Sequence, residues 1–308
     1  MKSIFSKWWV FALVFIVAGI SLLTVSWALG AGGGYVYIDR NGLHVGQDGE
    51  GEYKHLSENS LEEFSSVEVS VISADVEMIA SDHYGFEAQL PLEAEDIEWK
   101  IEDGKLIIDG QQDWAKRVNL FNLGFWGKDY FVKVYYKSGA ELEEISLKST
   151  SGNLKTDAMR CNNLTAETVS GDNMVIVDEC GEVTLKSTSG RVSLDADNDA
   201  PMKLKMNSIS GNVEVKNAKW DSMIAESVSG EVVVSGEAGA DTTAKSVSGN
   251  VKLMLRGNKK YAYAMTSVSG GIYVNGDRMG SPARSVDDES AVGMVNVSTT
   301  SGEIRVEF

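Results

Sequence analysis

The feature that most constrains this chain is a four-residue phrase that occurs eight times between residues 149 and 302. STSG ends at Gly152 and Gly190, TVSG at Gly171, SISG at Gly211, SVSG at Gly230, Gly249 and Gly270, and TTSG at Gly302. The glycines are spaced by 19, 19, 21, 19, 19, 21 and 32 residues. Seven and five residues before each glycine the positions are mostly apolar, as in Val183/Leu185 and Leu204/Met206, and two and four residues after it apolar residues resume, as in Val213/Val215. Between them, three and one residues before the glycine, stand only Ser or Thr.

Alternation of period two marks a strand with one buried face, and a glycine at its break supplies either a positive φ or a close backbone approach. A unit of about twenty residues has too little apolar surface to fold alone, so such units stack into a continuous core. The pattern predicts an all-β chain built as a β-solenoid of two-strand rungs, each of 19–21 residues and each running strand, glycine corner, strand, turn. Eight rungs at strand spacing make a rod of roughly 35 to 40 Å. Both Ser/Thr columns are expected inside, at a narrow edge where their hydroxyls bond along the ladder. Their role is structural, because a nucleophilic Ser needs an adjacent base and no His follows His83.

The solenoid is expected over residues 63–308, with Ile72-Ser73-Ala74-Asp75-Val76 as a worn copy of the corner. Two interruptions stand out. Residues 111–129 carry Trp114, Phe121, Phe125 and Trp126 beside Lys116, Arg117 and Lys128; they read as a lid on the open end of the rod, the alternative being a patch for glycan, lipid headgroups or a partner. Residues 275–293 hold Gly, Pro and mixed charge and read as a surface loop shielding the far end. The chain then stops on a strand over residues 303–308, whose free edge would invite self-association.

Ahead of the rod, Trp8 to Leu29 form 22 residues without a charge, enough to cross a bilayer core. Lys2 and Lys7 precede this run and no Lys or Arg follows before Arg40, which leaves residues 1–7 as a cytoplasmic stub and puts the bulk of the chain outside. The run is longer than a signal-peptide core, so an uncleaved single-pass anchor in the cell membrane is expected. Cleavage near Ala28-Leu29-Gly30 is the alternative, and either way the compartment of the remainder is the same. Residues 30–62 read as a stalk with one hairpin near Tyr35-Val36-Tyr37-Ile38.

A net charge of −17 repels phosphate backbones and argues against nucleic acid as a partner. His44, His55, His83, Cys161 and Cys180 are too few and too scattered for a zinc centre or a His-based catalytic group. Cys161 and Cys180 each lie nine residues after a corner glycine, so they occupy equivalent positions on adjacent rungs, about 5 Å apart, where a disulfide fits outside the membrane. Two acidic clusters, Asp195/Asp197/Asp199 and Asp287/Asp288/Glu289, could serve a glycoside-cleaving pair or a weak calcium site, but they read as solvated turn acids. No catalytic, metal or cofactor site is expected.

The recurring S(T/V/I)SG, the phrase SVEVSVISADVEMIASD and the run VKVYYKSGAELEEISLKSTSGNL together resemble the bacterial toastrack family, whose members are also described as candidate adhesins. The resemblance covers residues 63–308 and implies an extracytoplasmic, solenoid-like envelope domain, associated with envelope-stress systems and without catalytic residues. The function expected is a non-enzymatic, membrane-anchored scaffold or adhesin-like binding module whose partner is a cell-envelope component or membrane protein. The alternative is an accessory sensor acting through a membrane-spanning partner, since seven cytoplasmic residues cannot signal by themselves. A polysaccharide-cleaving enzyme is the remote alternative.

Overall fold

The computed structural model describes residues 34–39, 42–47, 53–91, 97–110, 118–122, 130–257, 259–285 and 290–308, with the backbone alone described for residues 34–39, 42–47, 53, 91 and 118–122. The expected stub, anchor and cleavage site lie outside these residues. Among the described residues no helix is long and apolar enough to cross a membrane. The chain divides into two units, residues 1–52 with 112–128, and residues 53–111 with 129–308.

In the first unit Gly34–Asp39 and Gly42–Gln47 form an antiparallel hairpin, and Val118–Asn122 joins it as a third strand. The segment expected to act as a lid on the rod therefore places its described strand in this separate sheet.

The second unit is all-β: two ladders face each other across one core. The ladder that precedes the corners runs parallel and in register, so that Ile145, Leu164, Val183, Leu204, Met223, Thr242, Val295 and Tyr263 stand in one column. Thr242, the polar exception among the buried members, accepts a 2.9 Å hydrogen bond from Trp220 Nε1, and both residues are fully buried. The ladder that follows the corners is also parallel and aligns Val192, Val213, Val232, Val251, Ile304 and Ile272. Alternate residues of both ladders point inward and are buried. This is a β-solenoid-like architecture.

The corner explains why the phrase recurs. A Cβ added at Gly171 would sit 1.9 Å from the Gly152 carbonyl oxygen, and one at Gly211 would sit 1.9 Å from that of Gly190. Each glycine is required by the close approach of the layer before it. Positive φ occurs elsewhere, at Gly104 and Gly276 among others. The Ser or Thr three residues earlier bridges the layers: Ser208 Oγ donates to Gly190 O at 2.9 Å and accepts from Gly211 N at 2.9 Å. Ser187 and Ser227 repeat this geometry within 0.2 Å. A second polar column follows the glycines, where Asn153 Oδ1 accepts from Asp172 N and Asn212 Oδ1 from Glu231 N.

Of the two Ser/Thr columns expected inside, one is. The residues three before the glycine are buried, whereas those one before it, such as Ser189, Ser210 and Ser229, are exposed. The chain turns after the buried hydroxyl, which carries the next two residues to the outside, while their N–H groups keep laddering, as from Ser210 N to Thr188 O.

Both ends of the stack depart from chain order. Ala74 O accepts from Ser149 Oγ, so the worn copy at residues 72–76 is the first corner. Beneath that layer lie Lys105–Gly110 and Phe131–Lys137, which come later in sequence. At the other end Ile304–Glu307 inserts between Val251–Leu255 and Ile272–Val274, so Gly302 stacks on Gly249 and Gly270 on Gly302. The C-terminal strand is bonded on both sides, which removes the free edge on which self-association through it would depend. The outer rung is covered instead by residues read as a loop: Asp277–Met279 pairs with Ile272–Val274, and Ala283–Arg284 with Ala264 and Met265. Asn275-Gly276, both at positive φ, make the tight hairpin turn. The same device, Asp103-Gly104, closes Glu98–Glu102 on Lys105–Gly110 at the first end. Tyr53–Glu58, placed in the stalk by the sequence reading, pairs with Gly85–Pro91 and belongs to this unit.

Gly211→Ala is therefore expected to destabilise the protein by about 3 kcal/mol or more, because backbone must move to admit the methyl group. Ser208→Ala, which orphans one buried N–H and one carbonyl, should cost about 1–3 kcal/mol. Gly280→Ala, with open space around it, should stay within about 0.5 kcal/mol of the parent in urea unfolding followed by tryptophan fluorescence.

Candidate binding surface along the corners

The outward positions of the corner strand build one continuous surface. Two residues before each glycine the side chain points to solvent: Val169, Ile209, Val228 and Val247 are each about half exposed, and Val268 is 76% exposed. Thr150, Thr188 and Thr300 complete this column. Four residues before each glycine runs a parallel column, in spatial order Lys148, Glu167, Lys186, Asn207, Glu226, Lys245, Ser298 and Thr266. Lys186 pairs with Glu167 at 2.5 Å and Lys245 with Glu226 at 3.2 Å, while Asn207 donates to Glu226 at 3.3 Å. The two columns line a groove of about 1020 Å³ floored by the buried hydroxyls. It offers apolar contact along one wall and alternating charge along the other. The sequence signal for this surface lies in the variable residue of each phrase, which is Val or Ile in five of the eight copies.

Cys161 and Cys180 are direct partners in the parallel register, both buried, with Sγ atoms 2.7 Å apart as free thiols. Their shared hydrogen bond, together with burial, raises the Cys161 thiol above its ordinary range.

Trp114, Phe125 and Trp126 lie outside the described residues, and Phe121 is placed only as a residue of Val118–Asn122. Asp287, Asp288 and Glu289 also lie outside. Asp195, Asp197 and Asp199 alternate along an exposed edge: Asp195 accepts from Asn217 Nδ2, and Asp199 faces Lys219 at 3.4 Å. Among the described residues no group of three or more His, Cys, Asp or Glu is arranged to hold a metal.

A Ser-His-Asp grouping does occur at Ser81, Asp82 and His83, but both partners meet the same imidazole nitrogen, Nδ1, at 3.0 and 2.8 Å. A nucleophile relay needs the Ser and the Asp on opposite nitrogens. The hydrogen bond from His83 lowers the pKa of the exposed Asp82 carboxyl, and the imidazole stacks on Tyr135.

A family model described as Toastrack DUF4097 matches residues 64–307. No curated protein matches the chain. Among solved structures it is similar to a candidate adhesin from Parabacteroides distasonis, at 14% identity over 84% of this chain and 98% of that one with a TM-score of 0.38. It is also similar to a candidate adhesin from Bacteroides fragilis, at 13% identity, 83% and 97% coverage and a TM-score of 0.35. A third is a candidate lipid binding protein from Parabacteroides distasonis, at 14% identity, 84% and 98% coverage and a TM-score of 0.35. At these scores the likenesses carry no argument about what this chain binds. The family match spans the whole corner repeat and most of the chain, and the chain belongs to the Toastrack DUF4097 family.

Proposed function

We propose that this chain is a non-enzymatic, membrane-anchored binding module of the cell envelope, held on the outer face by residues 8–29 and engaging an envelope component or membrane protein through the corner surface. The observation that carries the reading is the exposed column through Val169, Ile209, Val228, Val247 and Val268 beside its charged neighbour. The buried Ser, Thr and Gly of each phrase are consumed in holding layers together, whereas these outward residues hold nothing together and leave an apolar stripe in water.

Anchoring is tested by carbonate extraction and by protease added outside intact cells. The full-length chain is expected to stay with the membrane and to be cut beyond residue 30; release into the supernatant, or full protection, would refute the orientation. Binding is tested by crosslinking in cells and mass spectrometry of the trapped partners. Ile209→Asp should abolish capture, and Ile176→Asp, equally exposed on the other ladder, should leave it intact. Equal effects of the two would remove the corner stripe as the binding face, and capture of a signalling protein would favour the accessory-sensor role.

An outer-face location also predicts that Cys161 and Cys180 are joined, because the register already sets them side by side in an oxidising compartment. Peptide mapping without reductant, on protein isolated from the envelope, should recover the two cysteines in one linked fragment. Two free thiols would count against both the bridge and the compartment.

A further inference from the structure

We infer that the occupant of the corner stripe is the same stripe of a second copy, packed antiparallel about a two-fold axis through the Asn207–Ile209 layer. The inference deepens the binding-module reading and rests on the stripe being the binding face. Its basis is the order of charges. A two-fold axis lying in the face and along the strands sets each column opposite itself with the layers reversed. With the axis at Asn207, Glu167 of one copy faces Lys245 of the other and Lys186 faces Glu226, and symmetry doubles both contacts. In the neighbouring column Ile209 meets itself, Val169 meets Val247 and Val228 meets Thr188.

Neighbouring registers lose this match. Moving the axis by half a layer sets Lys186 against Lys245 in one direction and Glu167 against Glu226 in the other. Moving it by a whole layer sets Lys186 or Glu226 against itself. Like charges face each other in all four cases, a cost that selects register. The uncharged Asn207 breaks the Lys/Glu alternation at the one layer where a residue must meet its own copy. The existing pairs within one copy do not use up these charges, because Lys186 and Lys245 stay 46% and 51% exposed and each carboxylate can accept from two ammonium groups. The two stacks run in opposite directions.

The test uses the full-length chain in detergent micelles, with its native cysteines retained as a background control. Under mild oxidation Ile209→Cys should form a disulfide-linked dimer. Val268→Cys, more exposed but far from the axis, should not exceed the parent chain. By sedimentation at low ionic strength, Lys186→Glu should weaken the dimer about tenfold, and adding Glu226→Lys should restore it. Crosslinking of Val268→Cys as readily as Ile209→Cys would overturn the pairing, as would a monomer up to about 100 µM. In cells, an Ile209→Cys thiol shielded from a bulky maleimide without a linked dimer would assign the stripe to a different partner, refuting the second copy while the binding face stands. An unshielded thiol without a dimer would refute both.

Discussion

One hydroxyl group per layer carries the architecture. At each corner a buried Ser or Thr donates to the glycine carbonyl of the layer below and accepts from the glycine N–H of its own layer, at 2.8 to 3.1 Å in the corners of Gly171, Gly190, Gly211 and Gly230. The bond forms only because the next layer presents no side chain at that point, which is why an added Cβ would fall about 2 Å from a carbonyl oxygen. Glycine and hydroxyl are thus one device, since a methyl group in place of the glycine hydrogen would separate the layers that the hydroxyl joins. With register pinned at the corner, the apolar columns on either side fall into line, and the core between the two ladders follows.

A stack fixed this way has two open ends, and an open parallel ladder is a template for further strands. Both ends are closed alike. The rung nearest in sequence is not the outermost; a later or earlier segment overshoots it, and a hairpin with a tight two-residue turn then pairs with the exposed edge. At the far end this leaves the last strand of the chain between two others, so that the terminal residues are among the better held of the unit. Both parallel ladders thus end on antiparallel strands at either end of the stack.

The outward surface follows from the same corner. Because the chain turns immediately after the buried hydroxyl, the residue in the middle of each phrase is forced outward, and the residue two before it lies beside it on the ladder. Neither contributes to the core, so each is free to vary, and each varies in an ordered way: Val and Ile recur in one column and Lys and Glu alternate in the other. The structural phrase and the binding surface are interleaved residue by residue, with inward positions holding the layers and outward ones facing whatever meets the rod.

The period, the corner glycines and the inward apolar pairs were legible in the sequence, because each reports a local requirement that every layer repeats. So were the equivalent positions of Cys161 and Cys180 and the first corner at Ala74. The spatial order of the last two layers was not legible, since Gly302 and Gly270 carry the same local signals and only pairing across the ladder decides which is inside. The hairpin at Asn275-Gly276 had a signal, but it lay in a stretch whose Gly, Pro and mixed charge pointed to a loop. The outward turn of Ser210 and its equivalents contradicts a period-two reading because curvature at the corner overrides the strand alternation. Sequence alone determined that this chain must stack, since no twenty-residue unit could bury its own face. Tertiary structure decided which layers end the stack and which columns face water, because those depend on strands that meet only after the chain has folded back on itself.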